Sequence, residues 1–141
     1  MFVLDTNILS ELMKPSPNQK VMDWIARHPK MSLFTTSITE AEILYGLSII
    51  EKGNRKSALM NAATKIFTED LKGRVIPFDS QAASFFASIS ASRKLIGQPI
   101  SQFDAQIAAI SKSRAASLVT RNKKDFDDCG IIVINPWEDK E

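Results

Sequence analysis

The chain has 141 residues, 44% hydrophobic and 24% charged, which suits one ordinary globular core, and its formal net charge of +2 is too small to argue a nucleic-acid partner. No segment reaches the roughly 18 apolar residues of a membrane span, and Asp5 and Glu11 break the start where a signal peptide needs a basic end and an apolar core. One cysteine, Cys129, and one histidine, His28, exclude an internal disulfide and a zinc cluster, so any metal must be held by oxygen.

In chain order, Phe2-Val3-Leu4 is a short apolar run that ends at Asp5-Thr6-Asn7, the pattern of a buried strand delivering a carboxylate to a sheet edge. Ile8 to Met13 reads as a short helix stopped by Lys14-Pro15-Ser16-Pro17, because proline cannot continue a helix. Asn18 then caps a second helix with Val21, Met22, Trp24 and Ile25 on its apolar face, and His28 stands near its end either as a surface residue or as a C-terminal partner for the helix dipole. Ser32 to Thr36 is a predicted strand. Thr39 opens a helix in which Ile43, Leu44, Leu47 and Ile50 recur at helical spacing up to Gly53.

Asn54 begins a long amphipathic helix, Ala58 to Leu71, ended by Gly73. Val75 to Phe78 is a strand, and Asp79 or Ser80 caps a helix from Ala82 to Ile96. After the Gly97-Gln98-Pro99 loop, Ser101 starts a helix carrying Ala105, Ile107, Ala108, Ala109 and Ile110. Ser117 to Thr120 is a strand, Arg121 to Asp128 a turn or short helix in which Cys129 follows as a small turn residue, and Ile131 to Ile134 the last strand before Asn135-Pro136-Trp137. Strands alternate with helices, and the last strand is apolar on both faces. That pattern predicts one three-layer α/β/α domain over residues 1–141, built on a short parallel sheet.

Isolated acids recur where strands end and helices begin: Asp5, Glu42, Asp104 and Asp125. Glu42 follows Thr39 by three residues and Asp104 follows Ser101 by three, the spacing of a capping box, so each acid has a purely local explanation. Glu40 belongs to that local role. Helix starts that follow parallel strands also lie at the carboxyl edge of the sheet, where Glu42 and Asp104 can converge with Asp5. Carboxylates gathered there repel, and burying them unpaired costs several kcal/mol per ion. A divalent cation with oxygen ligands, Mg²⁺ or Mn²⁺, relieves that conflict. Arg114, Arg121, Lys123 and Lys124 cluster near one strand, where they serve either as a solvated face or as phosphate contacts. Tyr45, Phe103 and Phe126 flank the acidic blocks and are expected in the core.

Four blocks, Leu4-Asp5-Thr6-Asn7, Ser37 to Gly46, Phe103 to Ala109 and Val119 to Phe126, resemble in order and spacing the signature blocks of PIN-domain proteins. With the ending Ile134-Asn135-Pro136-Trp137, the resemblance is greatest to the VapC and FitB group, the toxin halves of prokaryotic type II toxin–antitoxin pairs. It implies a Mg²⁺-dependent endoribonuclease, with Mn²⁺ as a possible substitute, an RNA substrate, a cognate antitoxin and a homodimer; the start unlike a signal peptide and the lack of an apolar span lead to the expectation of a cytoplasmic protein. It further implies Asp5 and Asp104 as metal ligands, Glu42 as a catalytic carboxylate that meets the metal directly or through water, and Thr120 or Thr6 as a hydrogen-bonding neighbour that orients carboxylate or water. Where many relatives carry a fourth acid, this chain has Asn122, with Asp125 one turn on either assisting catalysis or capping its turn. The competing readings are a nuclease of this fold acting on another nucleic acid and a catalytically idle binding module.

Overall fold

Five short parallel strands in the order β3-β2-β1-β4-β5 form the centre of a computed structural model that describes residues 1–138. They are β1 (Phe2–Leu4), β2 (Leu33–Thr36), β3 (Val75–Ile76), β4 (Ser117–Val119) and β5 (Val133–Ile134). β1 lies between β2 and β4, with Phe2 opposite both Leu33 and Ser117. Alternate residues of a strand face opposite sides, and the two cores follow from that rule. Val3 and Leu118 join one apolar cluster, whereas Leu4 and Val119 join the other.

The first cluster is closed by α5 (Ser80–Leu95) and α6 (Gln102–Ser113), which contribute Ile89, Ile107, Ala108 and Ile110. The second is closed by α1 (Thr6–Leu12), α2 (Gln19–Ala26), α3 (Ser37–Ser48) and α4 (Asn54–Lys65), through Ile8, Trp24, Ile43 and Ala63 among others. The arrangement is the expected three-layer α/β/α fold with a parallel sheet. Cys129 is buried in the first core, and His28 sits just past α2 with Nδ1 2.7 Å from the Trp24 carbonyl, as a helix-end partner should. Among the described residues no helix is long and apolar enough to cross a membrane.

Some boundaries differ from the sequence pattern, three of them for a clear physical reason. The helix expected over Ala58 to Leu71 ends as α4 at Lys65, and Ile66–Asp70 form a turn of π-helix in which the Leu71 N–H donates to the Ile66 carbonyl at 2.8 Å. The wider turn keeps Ile66 and Leu71 both in the core while the buried Arg74 guanidinium collects the carbonyls of Lys30, Leu33 and Asp70. β3 stops at Ile76 because Pro77 has no N–H to pair. The last strand shrinks to Val133–Ile134 at the sheet edge, leaving Ile132 69% exposed, since an edge strand has a neighbour on one side only.

Candidate active site

Parallel register puts the ends of β1, β2 and β4 side by side, and the side chains that follow them meet there. The Asp5 N–H donates to the Val119 carbonyl at 2.9 Å, the last ladder bond between β1 and β4, so Asp5 and Thr120 leave the sheet together. Asp5 is the N-cap of α1 and is 4% exposed. Its Oδ1 accepts the Thr6 N–H at 2.8 Å, and its Oδ2 accepts the Thr120 hydroxyl at 2.7 Å and Asn7 Nδ2 at 3.4 Å. Asp5 thus has two structural roles: Oδ1 caps α1 while Oδ2 belongs to a side-chain network.

Thr120 is the centre of that network. Its hydroxyl has one proton, given to Asp5, and accepts from Asn7 Nδ2 and from the Asn122 N–H, each at 3.1 Å. Its donor and acceptor capacity is thus filled, which fixes the proton toward Asp5. A Thr120→Val substitution keeps the volume and removes the donor. It is expected to weaken divalent-cation affinity by roughly 10–100-fold, as loss of an outer partner does, and to cost about 1–3 kcal/mol of stability, because Asn7 Nδ2 and the Asn122 N–H lose a buried acceptor; Mn²⁺ titration calorimetry on the metal-free protein beside a urea melt measures both.

Glu42 enters from α3, and here the cap differs from the expected one. Thr36, not Thr39, is the N-cap, its hydroxyl oxygen accepting the Thr39 N–H at 3.0 Å, so Glu42 lies in the second helical turn. The capping-box explanation fails for this acid. Glu42 Oε1 instead accepts the Thr6 hydroxyl at 2.9 Å, and Thr6 Oγ1 lies 3.1 Å from Thr39 Oγ1. Asp104 does sit three residues after its N-cap, Ser101, whose hydroxyl oxygen accepts the Asp104 N–H at 3.2 Å.

Asp5, Glu42 and Asp104 line one cleft of ≈ 400 Å³, together with Thr6, Asn7 and Asn122. Burial pushes the Asp5 carboxyl up to about 6, with the charges of Asp104 and Glu42 adding to the rise and the Thr120 and Thr6 donors opposing it. Glu42 and Asp104 are also raised by burial; Asp104 adds to the rise of Glu42, and Asp125 to that of Asp104. Among the described residues no three acids are drawn tightly enough to make a ligand shell by themselves. The donor set nevertheless fits Mg²⁺, which takes one or two carboxylates and keeps several waters, and the acids suffer the repulsion that a cation relieves. No histidine or cysteine is in the cleft wall.

Asp125 is placed differently. It follows Asn122 in a single 3₁₀ turn, Lys123–Phe126, within electrostatic reach of Asp104 but outside the walls of the cleft, where Asn122 stands instead. Tyr45 and Phe103, expected in the core, are 68% and 52% exposed, while Phe126 is buried. Glu11 also lines the cleft; Lys14 and the Asn18 N–H, each at 2.9 Å, hold it ionised, so its role is to lock the turn after α1.

The sequence reading missed Arg93. It is 6% exposed, and its guanidinium donates to the carbonyls of Gln98, Asp125 and Asp127 at 2.6, 3.0 and 2.9 Å. The signal was present, since Arg93 continues the helical stripe of Ala82, Phe86 and Ile89 in the apolar face of α5. Arg93→Met would leave those carbonyls without their donor and is expected to cost about 2–4 kcal/mol in a urea melt.

Acids at the carboxyl edge of a parallel α/β sheet, oriented by threonine and asparagine side chains, define an acidic cleft at the ligand-binding edge of a doubly covered sheet. Residues 2–131 match the family model of the PIN domain. The chain is 36% identical to "VapC ribonuclease Y4jK" of Sinorhizobium fredii, covering 98% of this chain and 99% of that one. It is 32% identical to "Toxin FitB" of Neisseria gonorrhoeae, covering 99% and 100%. A solved structure of FitAB bound to an IR36 DNA fragment superposes with a TM-score of 0.91 at 30% identity, covering 100% of this chain and 99% of that chain. The chain belongs to the PIN-domain family, in the group of the VapC and FitB proteins.

Proposed function

We propose that this protein is a Mg²⁺-dependent endoribonuclease and the toxin half of a type II toxin–antitoxin pair, acting in the cytoplasm as a homodimer. The observation that carries the reading is the convergence of Asp5, Glu42 and Asp104 in one cleft, with the Asp5 carboxyl pushed up to about 6. The names of the relatives, a ribonuclease and a toxin, support it. In this reading Asp5 and Asp104 hold the cation, Glu42 acts directly or through water, and Asp125 adds negative charge behind Asp104. When bound, a divalent cation supplies charge neutralisation and an activated water for in-line attack on phosphorus. The protein supplies placement: Thr120 and Asn7 fix Asp5, and Thr6 fixes Glu42.

An apolar groove of ≈ 340 Å³ leaves Thr6 and Glu42 between α1, α3 and α4, lined by Met13, Ile43, Leu47, Ile50 and Leu59. It suits the apolar face of an antitoxin helix, with an Arg or Lys reaching the carboxylates where cation or substrate would sit. Expression of the protein alone should arrest growth, and coexpression of the neighbouring small gene should restore it. Harmless expression, with purified protein inert on RNA in Mg²⁺, would remove the assignment and leave only the fold.

A further inference from the structure

The motif Asn135-Pro136-Trp137 has no part in the acidic chemistry, yet it holds one residue of the cleft wall in place. Asn135 Nδ2 donates to the Arg121 carbonyl at 3.2 Å, and its Oδ1 accepts the Trp137 N–H at 2.9 Å. On the other side the Arg121 N–H donates to Asn7 Oδ1 at 3.0 Å. The exposed Arg121 guanidinium then rests over the Trp137 ring, 5.0 Å from its centroid. Trp137 packs against the second apolar core, which anchors the ring under this cation. A cation whose backbone and side chain are both tied down stands at the lip of a cleft that repels anions.

Next to it lies a second cleft of ≈ 660 Å³. Its walls include Lys123 and Asn135, each two residues from a wall residue of the acidic cleft, Arg121 and Trp137, so the two clefts share the ridge those segments form. Arg27 and Lys123 line it against one described acid, Glu138. The strand that enters the acidic cleft is a polyanion, and a nuclease must hold the phosphates on either side of the one it attacks in spite of its own carboxylates. Cations beside the acids, one of them held in place, meet that need.

We propose that Arg121, seated on Trp137, together with Lys123 and Arg27 in the adjoining cleft, forms a phosphate-binding track along which single-stranded RNA runs away from the acidic site. The track rests on the ribonuclease reading. Arg121 holds the phosphate beside the scissile one, and Lys123 and Arg27 hold those farther along. The Asn7 and Asn135 side chains couple the track to the catalytic network through the Arg121 backbone.

The test is binding of a fluorescent single-stranded RNA of about 12 nucleotides to intact protein in chelator, so that nothing is cleaved, over a series of salt concentrations. Arg121→Ala and Lys123→Ala should each weaken binding about five- to tenfold at low salt and lower the slope of log affinity against log salt by about 0.7, the loss of one phosphate contact. Arg121→Lys should keep the slope and lose part of the affinity, because the charge stays and the flat seat on Trp137 is lost. Mn²⁺ affinity should match the wild type in all three, while KM for RNA rises. Wild-type affinity and slope in both alanine variants would overturn the track. So would intact RNA binding accompanied by lost antitoxin binding, which would assign the surface to the protein partner. A wild type that neither binds nor cleaves RNA overturns the ribonuclease reading itself, and the track with it; a wild type that cleaves RNA while the alanine variants bind normally overturns the track alone.

Discussion

Asp5→Asn is expected to reduce cleavage by more than about 100-fold, beyond what loss of an outer partner costs, while leaving the protein as stable as the wild type or more so at pH 7. The carboxylate is buried, and its value of about 6 lies above the ordinary 3.8 of an aspartate. For an acid this direction means that the ionised form is unfavourable in the folded state. The contribution opposes folding above pH 6 by about 2–3 kcal/mol, and it fades as pH falls from 6 toward 4, where folded and unfolded forms both carry the proton. Asparagine keeps an acceptor for the Thr6 N–H and carries no charge, so the pH dependence of urea melts between 4 and 6 should be smaller in the variant than in the wild type, with the part due to Glu42 and Asp104 retained. Cation affinity should show the opposite sign: in the wild type it weakens as pH falls through about 6, since the proton competes for Asp5. Lost activity accompanied by a collapse in stability would instead make Asp5 a helix cap and nothing more.

Cleavage is expected to require Mg²⁺ or Mn²⁺, to stop on addition of chelator, and to leave 5′-phosphate and 3′-hydroxyl ends. Metal-free ribonucleases commonly use the ribose 2′-hydroxyl as nucleophile with histidine as acid or base, which leaves cyclic phosphates. The one histidine here, His28, is stacked on Trp24 with ring centroids 4.0 Å apart, and its Nδ1 is engaged by the Trp24 carbonyl. It lies outside the acidic cleft. End-labelled RNA resolved against alkaline-hydrolysis and nuclease ladders distinguishes the two sets of ends. Products ending in 2′,3′-cyclic phosphate, or cleavage that persists in chelator, would refute the mechanism. A preference for RNA over DNA would then arise from shape and 2′-hydroxyl contacts.

The acids differ in how far their surroundings could be read from their neighbours in sequence. Asp5 and Asp104 were legible as strand-end and helix-start residues, because both positions are defined by local pattern. Glu42 was legible as a candidate for the wrong local reason. Two threonines three residues apart, Thr36 and Thr39, are both competent caps, and only the end of β2 decides between them. Once Thr36 takes the cap, Glu42 rotates out of the first turn and Thr6, from another helix, becomes its partner. Arg93 shows the opposite limit: a charge on an apolar stripe marks something unusual, but two of its three carbonyl acceptors are 32 and 34 residues away, which no spacing predicts.

By itself the sequence determined the alternation of strand and helix, the parallel sheet and the positions at which acids leave it, because these depend on side-chain periodicity and cap chemistry within a few residues. The tertiary structure alone decided which acids share a cleft, since that depends on strand order, β2-β1-β4, which joins segments more than a hundred residues apart. It also decided that Asn122 rather than Asp125 stands in the cleft wall, and that Arg121 is pinned between Asn7 and Asn135. A hydrogen bond has a range of about 3 Å and takes no account of separation along the chain, so such pairings come into being only when the sheet has placed the strand ends together.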